Sequence, residues 1–158
     1  MVLGEAEAAL RSSSAIVLHR GAYAYVQTKA GSTAAPAIGG LAFFASASDM
    51  NNFIVTPDVT ATTIGLWAGT YIGAPTKGNY CFIQIAGRAS LKFRAATAKA
   101  TPAIGDYVII DPTPTNAGDV PADATTLTGP IAKTWLGIAV EAPVNATVST
   151  ILLVPKWM

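Results

Sequence analysis

Residues Gly78-Asn79-Tyr80-Cys81-Phe82-Ile83-Gln84-Ile85-Ala86-Gly87-Arg88-Ala89-Ser90-Leu91-Lys92-Phe93-Arg94 decide the fold class. Cys81, Ile83, Ile85, Ala89, Leu91 and Phe93 stand at odd positions, and Gln84, Arg88, Ser90, Lys92 and Arg94 at even ones. Side chains of a strand alternate faces with period two. The stretch therefore reads as a hairpin with one apolar and one largely polar face, turning near Gly87.

Outward from it the same style continues. Candidate strands cover residues 22–28, 40–44, 63–68, 79–86, 88–95, 106–110, 135–141 and 147–154, with Pro and Gly between them. About eight short strands separated by turns predict an all-β domain, a compact barrel or sandwich, over residues 17–158. Tyr107 to Ile110 is apolar on both faces, which suits a central strand or one covered by another subunit. The loop 111–130 holds four prolines and two glycines and is longer than a structural connection requires.

The chain also echoes itself. Pro36-Ala37-Ile38-Gly39 recurs as Pro102-Ala103-Ile104-Gly105, each before a short apolar run. Ile64-Gly65-Leu66-Trp67-Ala68 resembles Leu136-Gly137-Ile138-Ala139-Val140. The shared order and similar offsets of the two echoes predict two related β-units, 17–75 and 76–158. Trp67 and Trp135 flank the glycine of the repeated strand and are expected in equivalent core sites, whereas Trp157 is the candidate intersubunit anchor.

Composition narrows the function. Charged residues make up 12% of the chain, about half the usual share, while mean hydropathy is +0.43. No apolar run reaches the roughly 18 residues of a membrane span, so lipid is not expected to cover this surface. Charge-free stretches such as 30–48, 59–76 and 142–155 predict large protein–protein contacts instead. A net charge of +1 argues against nucleic acid, and Phe82 is the aromatic placed on the basic parity.

Residues 1–16 differ from the rest. Glu5 and Glu7 stand where a signal peptide is basic, so the segment reads as an extended arm with a helical turn through Glu5 to Arg11, either disordered or tied down by a neighbour. The basic face Arg88, Lys92 and Arg94 is the second candidate contact, suited to steering onto an acidic surface.

Thr76-Lys77-Gly78-Asn79-Tyr80-Cys81-Phe82-Ile83-Gln84-Ile85-Ala86-Gly87-Arg88-Ala89, Ile104-Gly105-Asp106-Tyr107-Val108, Leu136-Gly137-Ile138-Ala139-Val140-Glu141-Ala142 and the closing strand through Leu153 together resemble the small decoration (cement) proteins of tailed-bacteriophage capsids, over about the C-terminal half. The resemblance implies a β-barrel-like domain on the outer surface of the virion capsid. It implies the major capsid protein as partner and a homo-oligomer, a trimer in preference to a dimer, made in the host cytoplasm. The capsid contacts are then expected at Glu5, Glu7, Arg11, Arg88, Lys92 and Arg94.

Catalytic chemistry is sparse. His19 is the only histidine and Cys81 the only cysteine, and no Gly-x-Ser-x-Gly elbow is present. One His and one Cys do not make a zinc set, and Asp106, Asp111, Asp119 and Asp123 lack calcium-loop spacing, so no metal, cofactor or enzymatic activity is expected. The alternative reading is a carbohydrate-binding β-sandwich of a phage fibre or adhesin, which would want exposed aromatics.

Overall fold

The computed structural model describes residues 21–60, 66–111, 117–122 and 134–154. They form β1 (Ala22–Thr28), β2 (Leu41–Phe43), α1 (Ala47–Asn51), β3 (Ile54–Val55), β4 (Trp67–Tyr71), β5 (Tyr80–Lys92), β6 (Tyr107–Ile110), β7 (Gly118–Asp119), β8 (Trp135–Ala139) and β9 (Val148–Leu153). The all-β expectation is borne out. The sheet runs β2-β4-β5-β9-β8-β6-β7, with β1 against β5 and β3 against β1, and every pairing is antiparallel except β1 with β3. The short strands β3 and β7 and the short α1 escape a sequence reading because so few residues carry no period. The helix does have a local cause, since Ser46 caps it by accepting the Asp49 amide at 3.1 Å.

The deciding stretch is not a hairpin. Residues 80–92 are one continuous strand. A hairpin would pair the two sides of Gly87 with each other, yet the first side pairs with β1 and β4 and the second with β9. Gly87 has φ 86°, and the β1–β5 register passes from Ala22↔Ala86 to Tyr23↔Gln84, which skips Ile85. This is a bulge, which bends a strand without reversing it. The strand thereby passes from one half of the sheet to the other. Gln84, expected on the outer polar face, is buried, and its Nε2 donates to the carbonyls of Ala86 at 3.1 Å and Arg88 at 2.6 Å. Those carbonyls flank the bulge, and the amide satisfies them.

Around this bend one pairing scheme occurs twice. In β2–β4 the partners are Leu41↔Thr70, Ala42↔Gly69 and Phe43↔Trp67, with a register shift after Ala42. In β6–β8 they are Tyr107↔Ile138, Val108↔Gly137 and Ile109↔Trp135, with a shift after Val108. Tyr71↔Ile83 between β4 and β5 matches Ala139↔Ile151 between β8 and β9. Ala24↔Ile83 between β1 and β5 matches Ala89↔Ile151 between β5 and β9. The first half of β5 thus closes one unit, and its second half opens the next. The junction of the units is Gly87, inside a strand, rather than the 75/76 boundary drawn from the sequence.

The turns repeat with the strands. Gly40 N donates to Ala37 O at 2.9 Å and Asp106 N to Ala103 O at 3.3 Å, and Gly39 and Gly105 hold φ of 72° and 89° at the same turn position. A tight turn with left-handed backbone at its third position selects glycine there. The second echo, however, pairs the wrong glycines. Register matches Trp67-Ala68-Gly69 with Trp135-Leu136-Gly137. A Cβ on Gly69 would stand 2.6 Å from Gln84 O, and one on Gly137 would stand 1.9 Å from Leu152 O. Close approach of a neighbouring backbone keeps both positions glycine, whereas pattern matching on residue types selects Gly65 instead.

Two apolar clusters result. Val26, Ala42, Phe44, Val55, Ala68, Tyr71 and Ile83 fill the first unit. Ala89, Leu91, Phe93, Val108, Ile110, Val120, Leu136, Ala139, Ile151 and Leu153 fill the second, and Leu41, Phe43, Val59 and Trp67 join them from the first. Full burial of one Leu or Phe side chain contributes about 1.5–3 kcal/mol, so the contact of Leu41, Phe43 and Trp67 with the second cluster ties the units firmly together. Trp67 and Trp135 occupy equivalent register positions but unequal surroundings. Trp67 is buried, while Trp135 is half-buried, donates Nε1–H to Gly137 O at 2.7 Å and meets the Tyr107 ring edge-on at 6.0 Å.

Candidate docking surface

Strand alternation places Tyr23, Tyr25 and Gln27 of β1 on one side of the sheet, opposite Gln84, Phe82 and Tyr80 of β5. Four of these are aromatic and wet: Tyr23 is 50% exposed, Tyr25 58%, Tyr80 60% and Phe82 51%. The Tyr25 ring stacks on Tyr80 at 5.4 Å between centroids and 11° between planes, and meets Phe82 at 5.0 Å and 52°. Register sets these contacts, because Tyr25↔Phe82 and Gln27↔Tyr80 are cross-strand neighbours. The row is preorganised, since rings packed against each other have little rotamer freedom left to lose on binding.

The sequence analysis singles out Phe82 alone. Tyr80 shares its parity, and Tyr23-Ala24-Tyr25-Val26 shows the same alternation. The signal is present in each strand, but their pairing is not.

The basic face divides. Arg88 and Lys92 are exposed and make no ion pair among the described residues. Arg94, expected beside them in solvent, turns inward: its Nη1 donates to Asp111 Oδ1 at 3.3 Å and Asp119 Oδ2 at 3.2 Å. Both carboxylates are buried and need a cation, while the guanidinium is only 28% exposed. Asp119 Oδ1 also accepts the Ala98 amide at 2.9 Å. Both acids fall within the long loop drawn from the sequence, yet both are buried, with Asp119 paired to Ile109 of β6. Lys99 likewise pairs with Asp106 at 2.6 Å, and Asp106 Oδ2 accepts the Ala103 amide of the turn. Glu5, Glu7, Arg11, His19, Asp123 and Trp157 lie outside the described residues.

Two buried polar groups stand apart from these ion pairs. The Tyr71 hydroxyl and Trp67 Nε1 find no hydrogen-bond partner among the described residues. Burial, with the nearby Cys81 and Asp58 adding to it, pushes the Tyr71 hydroxyl well above its ordinary range, and burial also raises the Cys81 thiol. Cys81 is thus a packing residue beside the first cluster rather than an activated nucleophile. A cavity of about 240 Å³ lies between Gln27, Lys29, Asp49, Ile54 and Gly78. Its Lys29–Asp49 pair at 2.9 Å is its main polar feature, and the Thr28 hydroxyl is committed to the carbonyls of Thr76 and Asn79. Among the described residues no cluster of three His, Cys, Asp or Glu side chains could hold a metal ion.

No protein-family model matches the chain, and no curated protein is significantly similar to it. Among solved structures, it is similar to the N base of head fiber gp8.5 in bacteriophage phi29, with 12% identity and a TM-score of 0.51 over 85% of this chain and 95% of that one. At that identity the likeness shows the fold, which the two chains share over most of their length.

Proposed function

We propose that this chain is a non-enzymatic structural protein of a phage virion, seated on the outer surface of the capsid as a decoration protein. The observation that carries the reading is the fold shared with a head-fiber base over 95% of that chain. The sequence supports it independently, through the resemblance to decoration proteins and the scarcity of charge. Exposed Arg88 and Lys92 would steer the protein onto an acidic capsid surface, with the major capsid protein as partner. The test is copurification: the protein should travel with intact virions in a fixed ratio to the major capsid protein, and should rebind capsids stripped of it. Absence from purified virions would refute the reading.

The exposed aromatic row favours a second reading, a carbohydrate-binding module of a fibre or adhesin. Sugars stack on free ring faces, and the mutual stacking of Tyr25 and Tyr80 takes one face of each. Glycan binding that is lost in Tyr25→Ser would revive it.

A further inference from the structure

We infer that the aromatic row of Tyr23, Tyr25, Tyr80 and Phe82 is the face by which one copy of this chain packs against another. The register chain Leu41↔Thr70↔Gln84↔Tyr23 puts Leu41 of β2 and Tyr23 of β1 on the same side of the first unit's sheet, and Phe43 alternates onto that side with Leu41. The opposite side carries the unit's own core. Apart from the buried Thr70 and Gln84 at the centre of the second face, this sheet carries apolar side chains on both faces, the pattern of a sheet covered on both. At the β2–β4 end the second face is already covered, by the second unit. At the β1–β5 end it lies open.

What covers the closed end identifies the occupant of the open one. Leu41, Phe43 and Trp67 pack into a unit with the same pairing scheme as their own, so the molecule itself shows this face taking a copy of its own fold. Along the register the aromatic patch follows on the contact already made, with the buried Thr70 and Gln84 between them. Charge agrees. Tyr23, Tyr25, Gln27, Ile72, Tyr80 and Phe82 carry none, so the patch can meet itself without like-charge repulsion, whereas an acidic partner would be drawn to Arg88 and Lys92. Fully burying an aromatic removes about 150–250 Å² from water, so four half-exposed rings offer roughly 400 Å² per copy. A standard interface needs roughly 800 Å² per partner, and half-exposed Ile72, which follows Tyr71 of the Tyr71↔Ile83 pair, extends the patch in that direction.

The inference deepens the virion reading, because a capsid junction wants a symmetric partner, but its test needs no capsid. The full chain is weighed by light scattering and sedimentation from about 1 to 100 µM beside Tyr25→Ser/Phe82→Ser and the control Ile104→Ser, whose parent side chain is 71% exposed on the second unit. The parent and the control should be oligomers of equal mass, and the double variant a monomer with an unchanged circular dichroism spectrum. Nitration with tetranitromethane, mapped by mass spectrometry, gives a second readout: Tyr23 and Tyr80 should react at least fivefold more slowly in the oligomeric parent than in the monomeric double variant. A monomeric parent at 100 µM, a double variant that keeps the parent's mass, or Tyr23 and Tyr80 that react alike in the parent and the double variant would each overturn it. Patch variants that lose capsid or glycan binding at unchanged mass would likewise overturn it in favour of that partner, and failure of the parent to bind capsids would bear on the virion reading alone.

Discussion

Replacing Arg94 with Met removes the cation that two buried carboxylates share, and the structure sets the scale of the loss. Asp111 and Asp119 are almost wholly withdrawn from water, and a single nitrogen, Arg94 Nη1, reaches both at 3.2–3.3 Å. Removing one partner of a buried ion pair costs about 3–5 kcal/mol, because the charge left behind is uncompensated. Two features reduce the figure here. Arg94 is 28% exposed, so water can enter where it stood, and Asp119 keeps the Ala98 amide. We expect a loss of about 2–4 kcal/mol, a large part of the 5–15 kcal/mol that stabilises an ordinary domain. For a chain of this size each kcal/mol moves the melting temperature by about 2–4 °C, so Arg94→Met should melt roughly 5–15 °C early. Urea denaturation followed by circular dichroism measures it, with Arg88→Met as the surface reference expected within about 0.5 kcal/mol of the parent. Adding Asp119→Asn to Arg94→Met should recover part of the loss, since the second change removes a charge the first left stranded. If Arg94→Met costs no more than Arg88→Met, the inward pairing of Arg94 is wrong and the residue belongs with the solvent face.

Tyr71→Phe deletes a buried hydroxyl that has no partner among the described residues and should be neutral or stabilising by up to about 1 kcal/mol in urea melts. It should also flatten the alkaline limb of stability against pH: the folded state holds the Tyr71 proton above the unfolded value near 10, so stability is retained below about pH 10 and falls as pH rises beyond it, and Phe removes that slope. Gly137→Ala drives a methyl into Leu152 O, and Gly69→Ala into Gln84 O, so both should destabilise by about 2 kcal/mol or more, while Gly105→Ala meets open space and should cost only about 1 kcal/mol for its left-handed backbone; thermal melts rank the three. The double change Arg88→Ser/Lys92→Ser should leave the melt unchanged yet slow association with undecorated capsids and reduce its salt dependence; identical salt slopes for variant and parent would make these residues a solvated face.

The alternation of residues 81–93 and the spacing of Pro and Gly are enough to establish an all-β chain, because period two and turn chemistry are local properties. For the same reason β1 falls at its expected bounds, and the Pro-Ala-Ile-Gly turns already mark the internal echo. What period two cannot show is which strands meet. Gly87 marks a turn or a bulge equally well until its flanks are seen pairing with different strands, and Gly69 cannot be told from Gly65 until Gln84 O is found against it. Arg94 follows the parity of Lys92 along the chain, yet lies past the end of β5, where Asp111 and Asp119, both distant in sequence, draw it inward. The aromatic row belongs to the same class, since Tyr23 and Tyr25 lie far along the chain from Tyr80 and Phe82 and become one surface only when β1 lies beside β5. Strand, turn and periodicity are set by near neighbours in sequence, whereas a surface is made of residues whose proximity depends on the pairing of the whole sheet.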